Sequence, residues 1–298
     1  MFKSGFVSIV GRPNAGKSTL LNQMLKTKLA IMSDVAQTTR NTIQGIYTDE
    51  DSQIVFIDTP GVHKPQDRLG SFMNTSALNS IYGADVILFI APANEKIGKG
   101  DHYIINRLKE AEIPVYLVLN KVDLLSKEEL IQKLMEWQDL FPFKEIIPIS
   151  AKTGLQVDHL IRVLKDDLHE GPKYYEDDQL TDHPERFIIA EFIREKILHY
   201  THEEVPHSVA ILIDKIEEDE KEHRLDVIAS IVVTRDSQKG IIIGKQGAMI
   251  KKIRLAARKD IRQFLGMDVD LDLFVKVEKD WRNKEKYLKE LGYNEDEY

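Results

Sequence analysis

Between Phe6 and Leu168 the chain alternates short runs of β-branched and other apolar residues with longer stretches in which apolar positions recur at helical spacing. The runs Phe6 to Val10, Ile54 to Ile57, Val86 to Ile90, Val115 to Leu119 and Ile146 to Ile149 predict strands. The stretches Lys17 to Leu25, Ser71 to Ile81, Asp101 to Ala111, Lys127 to Leu140 and Val157 to Asp167 predict amphipathic helices. Gln44 to Thr48 predicts an edge strand paired with the Ile54 run, because the intervening segment is polar and turn-rich. Such alternation specifies an α/β domain, doubly wound around a mostly parallel sheet.

Gly171-Pro172-Lys173-Tyr174-Tyr175-Glu176-Asp177-Asp178 breaks this rhythm with a helix stop, charge and aromatics, the composition of a linker. The order then changes to a helix at Glu185 to Tyr200, strands at Ser208 to Ile216 and Leu225 to Thr234, a glycine-punctuated basic helical region at Ser237 to Phe264, and a strand at Val269 to Val277. Helix and strand no longer alternate strictly, which predicts an α+β domain. The expected division is residues 1–172, a linker at 173–184, and 185–298.

Composition narrows the function. At 298 residues the chain is two domains long by the rough rule of ~150 residues each. It has no cysteine, which removes disulfides, thiol catalysis and Cys-ligated metals. A net charge of -8 argues against coating nucleic acid, DNA included, by bulk charge, so any RNA binding must come from a local patch. Met1-Phe2-Lys3-Ser4-Gly5 runs straight into the first strand, leaving no room for a cleavable signal, and cytoplasmic residence is expected.

Gly11-Arg12-Pro13-Asn14-Ala15-Gly16-Lys17-Ser18 matches GxxxxGK[ST] directly after a predicted strand and directly before a predicted helix. Its glycines let backbone N–H groups turn onto phosphate oxygens, Lys17 reaches the β and γ phosphates, and Ser18, followed by Thr19, offers a hydroxyl to Mg²⁺. Asp58-Thr59-Pro60-Gly61 ends the third predicted strand, where a carboxylate can hold Mg²⁺ through water and the Gly61 N–H can meet a γ-phosphate. Asn120-Lys121-Val122-Asp123 chooses the base: Asp123 can accept from the ring N–H and exocyclic amine of guanine, and a buried acceptor rejects bases lacking those donors. Asn120 ties this loop to the phosphate loop, the stem of Lys121 covers the base, and Ser150-Ala151-Lys152 brings a backbone N–H to the guanine carbonyl.

In this order the motifs resemble the translation-factor-related class of GTPases, which implies a Ras-like domain and Mg²⁺-GTP chemistry. In that class a threonine before the second strand closes on Mg²⁺; here Thr38 and Thr39 stand at that place, and Thr39 is favoured. Where many GTPases carry a glutamine to orient water, this chain has Val62, which predicts a slow basal rate. His63, beside it, is expected to be a surface loop histidine. Asn14 resembles the asparagine that helps hold a potassium ion in related GTPases, making K⁺ a candidate second cation.

Downstream, Ile243-Gly244-Lys245-Gln246-Gly247 places GxxG between two helical segments, so that four nucleotides of single-stranded RNA can be clamped with Lys245 on a phosphate. Lys251, Lys252 and Arg254 follow on a basic helix, an order expected of a type II KH domain. A G domain, a linker and a KH domain in a chain of this length resemble the Era family of GTPases. The resemblance also covers Thr181 to Glu191. It implies a monomeric assembly factor of the 30S subunit that binds near the 3′ end of 16S rRNA and associates peripherally with the inner membrane. The alternative is a signalling GTPase whose C-terminal domain binds protein. The histidines at 199, 202 and 207 lack zinc-helix spacing, and Trp281 and the acidic tail Asn294 to Glu297 are expected to be a packed anchor and a frayed end.

Overall fold

In the computed structural model, which describes residues 1–33, 35, 38–61 and 67–293, the N-terminal half forms a six-stranded sheet. Its elements are β1 (Lys3–Gly11), α1 (Lys17–Leu25), β2 (Ile43–Thr48), β3 (Ser52–Asp58), α2 (Arg68–Tyr82), β4 (Val86–Pro92), α3 (Lys99–Leu108), β5 (Val115–Asn120), α4 (Lys127–Gln138), β6 (Glu145–Pro148) and α5 (Val157–Asp167). The strand order is β2-β3-β1-β4-β5-β6, with only β2 antiparallel to its neighbour. Every residue of β4 is buried, as a central strand covered by helices on both faces requires. β1 lies between β3 and β4, so the order reverses there, and loops at the carboxyl ends of β1, β3 and β5 open into one crevice.

Helix starts follow local chemistry. Ser126 accepts from the Glu129 N–H at 3.2 Å while Glu129 Oε2 accepts from the Ser126 N–H at 2.8 Å, a reciprocal cap for α4. Asp67 caps α2 by accepting from the Gly70 N–H at 2.8 Å. Asp49 closes the β2–β3 hairpin by accepting from the backbone and the hydroxyl of Ser52 at 2.9 and 2.8 Å.

The C-terminal half contains α6 (Glu185–Tyr200), α7 (Val205–Ser208), β7 (Ala210–Asp219), β8 (Arg224–Val233), α8 (Asp236–Ile243), α9 (Ala248–Leu265), β9 (Asp268–Val277) and α10 (Glu285–Glu290). The sheet order is β7-β8-β9, with β8 and β9 parallel. Two details differ from the expectation. The strand expected to begin at Ser208 starts at Ala210, because Pro206 sits in the first turn of α7 and sets a helical start. β6 lies one residue earlier than expected, at Glu145–Pro148.

One apolar cluster runs from Leu20, Leu29 and Ile31 through Ile189, Phe192 and Ile193 of α6 to Ile253 and Ile261 of α9. The α6 helix is therefore buried on both sides by the two halves. Segment 173–184, expected as a linker, lies along β2: Leu180 O accepts from the Ile46 N–H at 2.9 Å and Thr181 Oγ1 donates to Gln44 O at 2.6 Å. Gln53, fully buried, holds it further, accepting from the Tyr174 and Tyr175 N–H groups at 2.8 and 3.0 Å and donating to Tyr175 O at 3.0 Å. Gln53→Ala strips these backbone groups of their partner and is expected to lower stability by about 2 kcal/mol, read as a lower urea midpoint at unchanged slope.

Candidate nucleotide site and RNA interface

The phosphate loop leaves β1 and re-enters helix at Lys17. Gly16 has φ 101°, a conformation that suits glycine, and stands as the N-cap of α1. A Cβ on Gly61 would lie 2.8 Å from Pro13 Cα, so the glycine ending the segment after β3 lets its backbone pass directly over the phosphate loop. Between these segments lies a small cavity lined in part by Pro13, Asn14, Lys17, Ser18, Thr39 and Gly61.

Lys17 is buried and donates to the carbonyls of Gly11 and Arg12 at 3.1 and 3.0 Å. Burial lowers its pKa to about 8, against the opposing pull of the Asp58 charge. Ser18 Oγ donates to Asp58 Oδ2 at 2.7 Å and lies 3.0 Å from Thr39 Oγ1. Thr38 points elsewhere, donating to Val35 O at 2.6 Å. Burial pushes the Asp58 carboxyl up to about 6 even though Lys17, Ser18 and the Thr59 N–H pull it down, and its Oδ1 is buried without a well-formed hydrogen bond among the described residues. Two hydroxyls and a carboxylate with an uncommitted oxygen form the all-oxygen donor set that suits Mg²⁺. Thr59 Oγ1 donates to Ile9 O at 2.8 Å and fixes the turn into Pro60 and Gly61.

On the base side, the Asn120 amide is 2% exposed. It donates to Ala15 O at 2.8 Å and accepts from the Ala151 N–H at 2.9 Å, joining the loops after β1, β5 and β6. That bond engages the Ala151 N–H; Ser150 donates its own N–H to Leu155 O at 3.1 Å. Lys121 adopts φ 66° and its ammonium lies 3.9 Å from Glu95. Asp123 is exposed, against the expectation of a buried acceptor. Arg12 does not line the cavity: its guanidinium turns to Asp101 at 2.8 Å and Glu95 at 3.3 Å, anchoring the loop to the first turn of α3. Asn14 is exposed at φ 62° beside Ala15 and Thr19. Val62 and His63 lie outside the described residues, as does the tail from Asn294.

In the second half, Gly244, Gln246 and Gly247 all have positive φ, at 72°, 52° and 76°, which builds a tight turn between α8 and α9. Lys245 and Gln246 are exposed at its tip and Ile243 is half-buried behind it. The basic helix is less free than its sequence implies. Arg254 lies 3.5 Å from Asp272, and Arg258 and Arg262 lie 3.1 and 3.2 Å from Asp268. Lys251 and Lys252 are exposed, with the Lys252 ammonium 4.0 Å from the centre of the Tyr200 ring. Ion pairs across to β9 carry no local sequence signal.

A P-loop with a magnesium-type oxygen cluster and an Asn-Lys-x-Asp loop, on this sheet order, defines a GTPase of the Ras-like class joined to a KH-type unit. Residues 6–121 match the 50S ribosome-binding GTPase family and residues 204–282 the KH domain family. The chain is similar to Aquifex aeolicus Era bound to GDP and tetrafluoroaluminate, at 40% identity and TM-score 0.95 over 98% of this chain and 99% of that one. The same values hold for Era in complex with MgGDPNP and nucleotides 1506–1542 of 16S ribosomal RNA. The chain belongs to the Era family of GTPases. Among the described residues no helix is long and apolar enough to cross a membrane.

The raised Asp58 pKa fixes a pH response. Below its ordinary value of 3.8 the group is protonated whether the chain is folded or not; from there up through about 6 only the unfolded chain ionises freely, so this carboxyl lowers ligand-free stability as pH rises through that window. Protons would compete with a Mg²⁺ held through this carboxyl. The apparent Mg²⁺ affinity is expected to fall towards about tenfold per pH unit below the folded pKa, measured by Mg²⁺ titration of the GDP complex.

Proposed function

We propose that the chain is a GTP-hydrolysing switch that binds single-stranded rRNA near the 3′ end of 16S rRNA through its KH unit and acts in assembly of the 30S subunit. The observation that carries this reading is that Ser18 and Thr39 line one cavity and Ser18 bonds to Asp58 behind it, while Asn120 ties the loop bearing Asp123 to the same phosphate loop. In a chain 40% identical to an Era seen with MgGDPNP and that rRNA segment, this geometry has one economical use.

In our assignment residues 1–172 form the G domain, 173–184 a strap and 185–298 the KH unit. Gly11 to Thr19 cradle the phosphates and Lys17 compensates charge on the β and γ groups. Ser18, Thr39 and, through water, Asp58 hold Mg²⁺, which neutralises charge developing on the phosphate oxygens when bound. Gly61 presents its N–H to the γ-phosphate, and Thr59, Pro60 and Val62 complete that segment. Asn120, Lys121, Asp123 and the Ser150-Ala151-Lys152 loop hold guanine; an incoming base supplies the cover that Asp123 lacks. The valine at 62 has no group to orient water, so unstimulated turnover is slow, and K⁺ beside Asn14 is the candidate charge-stabilising cation. Equal rates in sodium and potassium buffers would remove that last role. RNA passes over Ile243 to Gly247 and meets Lys251, Lys252 and Arg254. The family resemblance supports cytoplasmic residence with peripheral association at the inner membrane.

Two substitutions test the halves separately. Asp123→Asn is expected to transfer preference from GTP to xanthosine triphosphate by at least about a hundredfold, read by nucleotide competition; unchanged preference refutes the guanine assignment. Gly247→Asp introduces charge where a Cβ meets nothing within 4 Å. It is expected to abolish binding of a 16S 3′-end oligonucleotide while GTP binding persists. Intact RNA binding would favour a protein-docking role.

A further inference from the structure

Two arginines and a tryptophan converge on the backbone carbonyls at the end of α7. Arg40, just after Thr39, is 1% exposed. Its Nη1 donates to Val209 O at 2.6 Å and its Nη2 to Pro206 O and His207 O, each at 3.2 Å. Arg282 arrives from the opposite side: its Nη1 donates to the same His207 carbonyl at 3.3 Å, and its Nη2 pairs with Asp67 Oδ2. Trp281 Nε1 donates to Ser208 O at 2.9 Å, and its ring lies 5.9 Å from the Arg40 guanidinium carbon. Asp67 is also the cap of α2, so one carbonyl connects the segment holding Thr39 with the start of the helix that follows Gly61. Arg194 of α6 secures the neighbouring backbone by donating to Thr38 O.

The end of a helix leaves carbonyls without partners, and cations there are favourable. A guanidinium taken out of water is costly unless its donors are satisfied. Its two Nη groups are satisfied on these carbonyls while its buried Nε has no well-formed hydrogen bond among the described residues, so Arg40 leaves this seat at little cost once its backbone is displaced into solvent.

We propose that Arg40 is a positioning residue for discrimination between triphosphate and diphosphate: seated on the α7 carbonyls it holds Thr39 against Ser18, while the Arg282–Asp67 arm ties the start of α2 to the same point. This rests on the reading of Thr39 as a Mg²⁺ ligand of the triphosphate state. Arg40 touches neither nucleotide nor metal and acts only through Thr39. Its contribution falls on the complex that needs Thr39 in place, and reciprocity makes that complex hold the KH unit docked in return.

The test uses the full chain with Mg²⁺ and compares affinities for GDPNP and GDP. Arg40→Lys, whose single amine cannot reach three divergent carbonyls, is expected to weaken GDPNP by about tenfold and GDP by less than about twofold. Asp67→Asn keeps an oxygen for the α2 cap and loses the ion pair; it is expected to shift the same ratio less. The double variant falls short of the sum because both arms meet at His207 O. Parallel weakening of both nucleotides, or no change in either, overturns the proposal. If Arg40→Lys does not fold, judged by melting with GDP, Asp67→Asn decides by the same ratio. Thr39→Ala separates the two ideas. Loss of GDPNP preference in Thr39→Ala but not in the arginine variant removes the positioning role alone, whereas an unchanged ratio in Thr39→Ala removes the Thr39 reading and the proposal together.

Discussion

The side-chain amide of Asn120 sits where three strands end, and it is satisfied only when all three following loops are in place. Its donor goes to the phosphate loop at Ala15 and its acceptor receives the Ala151 N–H. Those loops arise from strands that are far apart in sequence, and their separation sets the distance between phosphate grip and base grip. Leaving either half of a buried amide unpaired costs about 1–3 kcal/mol. The bond therefore resists drift of one loop against the other. The same amide explains Gly16 a second way: a Cβ there would run into Asn120 Nδ2, so the positive-φ residue that opens α1 must also be the smallest one.

A comparable constraint holds the two halves together. Lys28, beyond α1, lies 2.5 Å from both Glu195 of α6 and Asp260 of α9, and Lys196 pairs with the same two carboxylates. Glu195 Oε1 also accepts from the Met32 N–H at 3.0 Å. Burial alone would raise both acids, yet the two lysines hold Glu195 and Asp260 below the usual carboxylate range. Such a cluster contributes little net stability relative to an apolar one, but a small misalignment strands a charge out of water. It therefore selects one docking orientation, in which Met32 and Thr38 bond to α6 and Arg40 bonds to α7.

That explains which features could be read in advance. The strands and the loops bearing Lys17, Asp58, Asn120 and Gly244 were legible because period and motif spacing are local properties of a chain. The inter-domain contacts were not. Arg40, Arg194, Glu195 and Lys196 carry the composition of a solvated surface, and only tertiary structure shows them buried. The helix α6 lacks an amphipathic stripe because both its faces are covered, and α10 is too short to announce itself. The ion pairs of α9 have no local signal for the same reason: Asp268 and Asp272, which engage its arginines, lie on another element.

Two glycine turns of this protein lie in different surroundings. Both place positive-φ residues immediately before a helix, at Gly16 for α1 and at Gly247 for α9. At the first, Lys17 is buried behind the turn and Gly61 lies against Pro13. The second is open: nothing lies within 4 Å of the Gly247 Cβ position, and Lys245 and Gln246 stand in solvent. An open turn lets a polymer enter and leave on either side. On the proposed function, the close packing of the first turn suits it to read how many phosphates are present and the openness of the second suits it to grip a continuous strand; the carbonyls of α7 would lie between the segments that report each state to the other.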